Sequence, residues 1–144
     1  MLKPKSLPVR VLLVIAACTL LATTYILQQA NFAGELGIVT QGNEKLIFVL
    51  NKTARLVIND FACILLIHSF FQERKYTRLA FYVFLIELLI LLPCYFAIKL
   101  TLEGPTEISS PILSQIHRLI VNPMLMMVLI ASFYYQKKFA PARG

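Results

Sequence analysis

Apolar positions gather into four long runs, approximately residues 9–28, 54–71, 79–98 and 118–135, with the second starting as early as Leu46 if its polar interruptions are tolerated. Each run is about 17–20 residues, the length that crosses about 30 Å of hydrocarbon as a helix rising 1.5 Å per residue. None alternates with period two, which disfavours a barrel. Lipid offers backbone groups no partners, so the runs are expected to be helices. The stretches between them carry the breakers. Residues 29–53 contain Gly34, Gly37, Gly42 and Asn43, and residues 99–117 contain Gly104, Pro105, Ser109, Ser110 and Pro111. Residues 72–78 are so few that the flanking runs must form an antiparallel hairpin. The pattern predicts an all-α integral membrane protein, a single domain over 1–144 built as a four-helix transmembrane bundle.

Composition supports that reading. The 144 residues are 58% hydrophobic and 15% charged, with mean hydropathy +0.74. A soluble domain averages about 45–50% apolar and about 25% charged. A water-soluble core of this size could not bury so much apolar surface, which excludes a two-domain enzyme, a disordered chain and an ordinary soluble binding module. The net charge of +7 would suggest nucleic acid in a soluble chain. Here the basic residues flank the runs and read as topology signals. Nine of them (Lys3, Lys5, Arg10, Arg74, Lys75, Arg78, Lys137, Lys138, Arg143) lie on one side, against five (Lys45, Lys52, Arg55, Lys99, Arg118) spread over the two longer connections. Both termini and the 72–78 loop are therefore expected in the cytoplasm, with 29–53 and 99–117 as outer loops. Tyr25, Tyr95, Tyr134 and Tyr135 stand near run ends, as interfacial aromatics do.

The three cysteines, Cys18, Cys63 and Cys94, sit inside apolar runs without ligand spacing, so neither a disulfide framework, a metal site nor a cofactor is expected. Ile15-Ala16-Ala17-Cys18 has the look of a bacterial lipobox, but Thr19 to Leu27 stays apolar where a mature lipoprotein has a polar tether, and the run is too long for a cleaved signal. Asn51-Lys52-Thr53 matches a glycosylation acceptor at chance level.

Polar residues inside the runs are the candidates for function, because an ionisable side chain at bilayer depth costs about 2.5–3.5 kcal/mol or more. They are Arg55, Asn59 and Asp60 on the second run, Glu87 on the third, and His117, Arg118 and Asn122 at the start of the fourth. His68 reads as interfacial, and Thr23 and Thr24 as helix-bridging groups. Arg55, Asn59 and Cys63 are spaced to share one helix face. Asp60 is expected to pair with an arginine, and a hydrogen bond shared between Asp60 and Glu87 is the other arrangement their depths allow. Asn122-Pro123 reads as a kink or first-turn proline.

His117-Arg118-Leu119-Ile120-Val121-Asn122-Pro123-Met124-Leu125, followed by Ser132-Phe133-Tyr134-Tyr135-Gln136-Lys137-Lys138, resembles the C-terminal signature of the exosortase F system-associated membrane proteins of Bacteroidota. Thr53-Ala54-Arg55-Leu56-Val57-Ile58-Asn59-Asp60 is similar to that family's arginine–asparagine helix start, whereas Asn31-Phe32-Ala33-Gly34-Glu35 lacks the aromatic-acid-proline stretch expected in its first outer loop. The resemblance implies a non-enzymatic accessory protein of a protein-sorting system in the bacterial inner membrane. Its partner would be an exosortase, a polytopic membrane enzyme; from their placement in the runs, Arg55, Asn59, Asp60, Glu87, His117, Arg118 and Asn122 are expected to bind that partner or to pair the helices. No nucleic acid and no soluble small-molecule substrate is expected. Two other functions fit the residue types. An exosortase-like thiol transpeptidase would use Cys63 with His117 and Arg118. A small proton-coupled transporter would use Glu87.

Overall fold

The computed structural model describes residues 6–27, 37, 43–105 and 110–139, and among them there is helix and turn but no strand. Helix α1, Leu7–Ile26, starts with Pro8 in its first turn, where a missing N–H costs nothing. Only Ala17 and Thr24 on it are buried. The hydroxyls of Thr19, Thr23 and Thr24 each donate to the carbonyl four residues back at 2.8 Å, so their polarity is satisfied within the helix.

Helix α2, Glu44–Phe71, is capped by Asn43, whose side chain accepts from the Leu46 amide. It begins ten residues before the expected start at 54, inside the stretch read as an outer loop. Phe48 is the reason on that extra length: it packs edge-on against Phe96 at 6.1 Å and holds the added turns to the body. Gln72 then takes a left-handed conformation at φ 54°, and its amide closes the helix onto the His68 carbonyl. Helix α3 starts at Arg74, so only Gln72 and Glu73 connect the two. Residues 74–78, expected within the loop, are its first turn. His68 Nδ1 and Thr77 Oγ1 face each other across the hairpin at 3.3 Å.

Helix α3, Arg74–Ile86, passes without interruption into a π-turn, Glu87–Leu91, and on into α4, Leu92–Leu102. Pro93 has no amide to give the Leu89 carbonyl, and the amide of Leu92 reaches back five residues to Glu87 instead. One extra residue is accommodated in that turn, which resets the helix face by about 100°. Helix α5, Pro111–Ile120, and helix α6, Met124–Phe139, meet at 54° across Val121–Pro123. The kink expected at Asn122-Pro123 within 118–135 is therefore a full break between two helices. Asn122 precedes a proline and is steered out of the helical region, and Pro123 cannot bond back to the preceding turn.

Arg10 Nε donates to the Ser69 carbonyl at 3.3 Å, which sets α1 antiparallel to α2. The core has two parts. One gathers Phe48, Leu56, Leu92, Tyr95, Phe96, Leu113, Ile120 and Val121; the other, toward the hairpin, gathers Cys63, Ile67, Phe71, Tyr76, Ala80, Met126 and Phe133. Phe71, Tyr76 and Phe133 form a ring triangle with centroids 4.6–5.7 Å apart, tying α2, α3 and α6 together. Among the described residues three helices (α1, α2 and the composite α3–α4) are long and apolar enough to cross a membrane, and α5 with α6 makes a fourth if the bent pair counts as one span. Large apolar side chains such as Leu12, Ile15, Leu89, Ile90, Met127 and Val128 stand exposed on the outside.

Candidate functional site

Asn59 and Asp60 stand next to each other on α2, and about 100° of helical rotation sends them to different faces. Asn59 faces the break between α5 and α6. Its Nδ2 donates to the Val121 carbonyl at 3.1 Å, supplying a partner to a backbone group close to the break. Around this bond lies a cleft of about 220 Å³, lined by Leu21, Thr24 and Tyr25 of α1, Arg55 and Asn59 of α2, and Asn122, Pro123 and Met127 at the break. Arg55 is 8% exposed, one turn from Asn59, and Asn122 and Tyr25 stand at the surface of the cleft. Three of the expected site residues, Arg55 and Asn59 of α2 and Asn122 of the break, are thus brought together from places far apart in the chain.

Asp60 lies on a different face. It is 1% exposed, and the carboxyl of Glu87, 2% exposed, lies within hydrogen-bond reach of it. Of the two arrangements their depths allowed, the carboxyl pair is the one formed. Among the described residues Asp60 meets no arginine, and its Oδ2 has no hydrogen-bond partner. The pair sits where the two parts of the core adjoin, between Leu56 and Cys63 on α2, at the first residue of the π-turn. Cys63, one turn on from Asn59, lies within electrostatic reach of both carboxyls.

The remaining expected residues do not join either group. His117 is half-buried with its ring 5.7 Å from Tyr95, and Arg118, on the last turn of α5, is exposed. Cys63 belongs to the hairpin-side core and His117 stacks at the edge of the other, so the thiol, imidazole and guanidinium of the transpeptidase reading are not assembled. Cys18 and Cys94 are exposed on the outside. Lys3, Lys5, Arg143 and the stretch Asn31–Glu35 lie outside the described residues.

Sequence reasoning missed Lys99. Its side chain is fully buried, and its Nζ donates to Glu103 Oε2 at 2.6 Å. The other oxygen, Glu103 Oε1, accepts from the amide of Ser110, the residue that caps α5, at 2.7 Å. These bonds to Lys99 and then to the Ser110 amide hold the Glu103 carboxyl below its usual range. One carboxylate therefore joins the end of α4 to the start of α5. The signal was present as Lys99 and Glu103 four apart, but it pointed to a solvated pair until the π-turn swung Lys99 inward. Among the described residues no group of three metal-ligating side chains occurs. No family model, no curated protein and no solved structure matches the chain.

Proposed function

We propose that this chain is a non-enzymatic accessory subunit of an exosortase-type protein-sorting system, residing in the bacterial inner membrane with four spans and both termini in the cytoplasm. The α5–α6 pair serves as the fourth span, broken in the outer half. The observation that carries the reading is the cleft between α1, α2 and the break. The Arg55, Asn59 and Asn122 side chains line it, on helices that also expose large apolar side chains such as Leu12, Ile15, Met127 and Val128. Arg55 is seventeen residues before Gln72, about 25 Å along the helix from the hairpin at 1.5 Å per residue. With the hairpin in the cytoplasm, the cleft falls near the outer edge of the hydrocarbon. A polar notch at that depth suits a polytopic partner that brings its own polar groups into it. The basic residues around the hairpin and the terminal helix ends support the orientation.

The experiment is co-purification from bacterial membranes with the tagged chain as bait. The guanidinium fork is planar and offers donors an ammonium cannot reproduce. Arg55→Lys should cut recovery of the partner about tenfold, equivalent to about 1.4 kcal/mol, while the bait still inserts. Equal recovery with Arg55→Lys and Asn122→Ala would reduce the cleft to an anchor for lipid headgroups and end the docking reading.

A further inference from the structure

The carboxyl pair on another face of α2 has no part in that docking surface, and its chemistry differs. Two carboxylates within hydrogen-bond reach repel each other, and neither has solvent to spread its charge. Both side chains are at least 98% buried. No positive charge offsets them among the described residues. Arg55 lines the cleft, Lys99 holds Glu103, Arg10 holds the Ser69 carbonyl and Lys137 lies by Phe71 at the hairpin end. The neutral groups around the pair are equally committed. Asn59 is bound to Val121, and Cys63 is the other titratable group in reach. A hydrogen bond between two carboxyls requires one of them to bring a proton. The remaining oxygen, Asp60 Oδ2, is buried and unpartnered, a vacant acceptor of the kind that buried polar atoms rarely leave open.

We propose that Asp60 and Glu87 form a buried proton-binding site, in which one carboxyl donates its proton to the other, the pair carries a single negative charge, and loss of that proton parts α2 from the π-turn. The bound state is the packed one described above: the shared proton closes the contact between α2 and the first residue of the π-turn. On release, two full charges face each other across an apolar gap. The π-turn is the element placed to yield, because its five-residue hydrogen bonding can revert to the α pattern and carry Glu87 around the helix axis. The site rests on the membrane placement of these helices and not on the identity of any partner.

Dicyclohexylcarbodiimide tests it, because this apolar reagent adds to protonated carboxyls in apolar surroundings, whereas a water-soluble carbodiimide reaches carboxyls open to water. With the full chain in detergent or liposomes at neutral pH, mass spectrometry should find one adduct per chain, mapped to Asp60 or Glu87. Its rate should fall as pH is raised, and the water-soluble reagent should leave both residues unmodified. The isosteric double variant Asp60→Asn with Glu87→Gln keeps shape and a mutual hydrogen bond, and should lose the adduct while remaining monodisperse. Infrared spectroscopy gives a second readout: a protonated-carboxyl band present in the native chain and absent from the double variant. Failure of the apolar reagent to label either residue, with no such band, would show both carboxyls ionised and overturn the proposal. Labelling of the pair by the water-soluble reagent would overturn it as well.

Discussion

Asn59 and Asp60 differ by one atom type and occupy consecutive positions, yet one helps form an open notch and the other a sealed pair. On the Asn59 side the partner is a backbone carbonyl near a broken helix, and the space beyond it is open. On the Asp60 side the partner is a second acid on a turn with one residue too many, and both acids are buried. Both faces depend on an irregular turn in the facing helix. A proline-led break disturbs the backbone beside Asn59, and a π-turn presents a side chain to Asp60. Two polar residues of α2 are thus matched to irregular turns in its neighbours without interrupting α2 itself.

Exchanging the two residues should collapse the comparison. In the double variant Asn59→Asp with Asp60→Asn, a carboxylate would meet the Val121 carbonyl acceptor to acceptor and lose the hydrogen bond there, at a cost of about 1–3 kcal/mol. The expected outcome is loss of monodisperse protein in detergent gel filtration. The single change Asp60→Asn should pass the same assay, since its amide can donate to Glu87.

Deleting one residue sharpens the comparison at the π-turn. Ile90 and Phe61 are equally exposed, at 56% and 55%. Removing Ile90 takes out the extra residue of the π-turn and leaves both flanking faces in register, so the variant should melt within a few degrees of the native chain. Removing Phe61 rotates the rest of α2 by about 100°, turning Cys63, Ile67 and Phe71 away from the core, and should abolish the cooperative transition. Equal damage from the two deletions would mean that the π-turn is not the source of the register.

The smallest effect belongs to Glu103. Its carboxyl is held below its ordinary value, so its contribution is present at neutral pH and is lost as pH falls through the lowered value. Hydrogen exchange at the Ser110 amide should stay slow at neutral pH and accelerate in acid beyond the intrinsic pH trend. Glu103→Gln should remove that acid step.

Apolar run length was enough to foresee the helices, because it depends on composition averaged over many residues. The hairpin was equally legible, since so short a polar stretch leaves one geometry. Facing was harder. At steady helical spacing Glu87 would be followed on its face by Leu91, Cys94 and Ile98. The buried set is instead Leu92, Tyr95, Phe96 and Lys99, in which Leu92, Tyr95 and Lys99 each fall one residue later. The shift arises from where Pro93 sends the Leu92 amide, a choice of hydrogen-bond partner that leaves no trace in hydrophobic periodicity. The same displacement hid Lys99. The break at Val121–Pro123 was announced by its proline, but that Asn59 would serve it, sixty-two residues upstream, is a tertiary fact. Asp60 was read toward arginine by charge complementarity. Geometry gave it Glu87, because the hairpin's length fixes which levels of α2 and α3 face each other.

That two-residue connection at Gln72 and Glu73 bears also on how the chain is made. Of the two helices it joins, α2 is the less apolar, burdened with Lys52, Arg55, Asn59 and Asp60, and α3–α4 is the more apolar. For a chain that crosses the bilayer as proposed, α2 alone is a reluctant passenger for the insertion machinery. With so short a tether, the next helix follows at once and covers Asp60 with Glu87 before the pair is committed to lipid. Biogenesis would then proceed by hairpins rather than by single spans, and lengthening the tether with glycine and serine should leave α2 stranded at the translocon although every residue of the mature fold is unchanged.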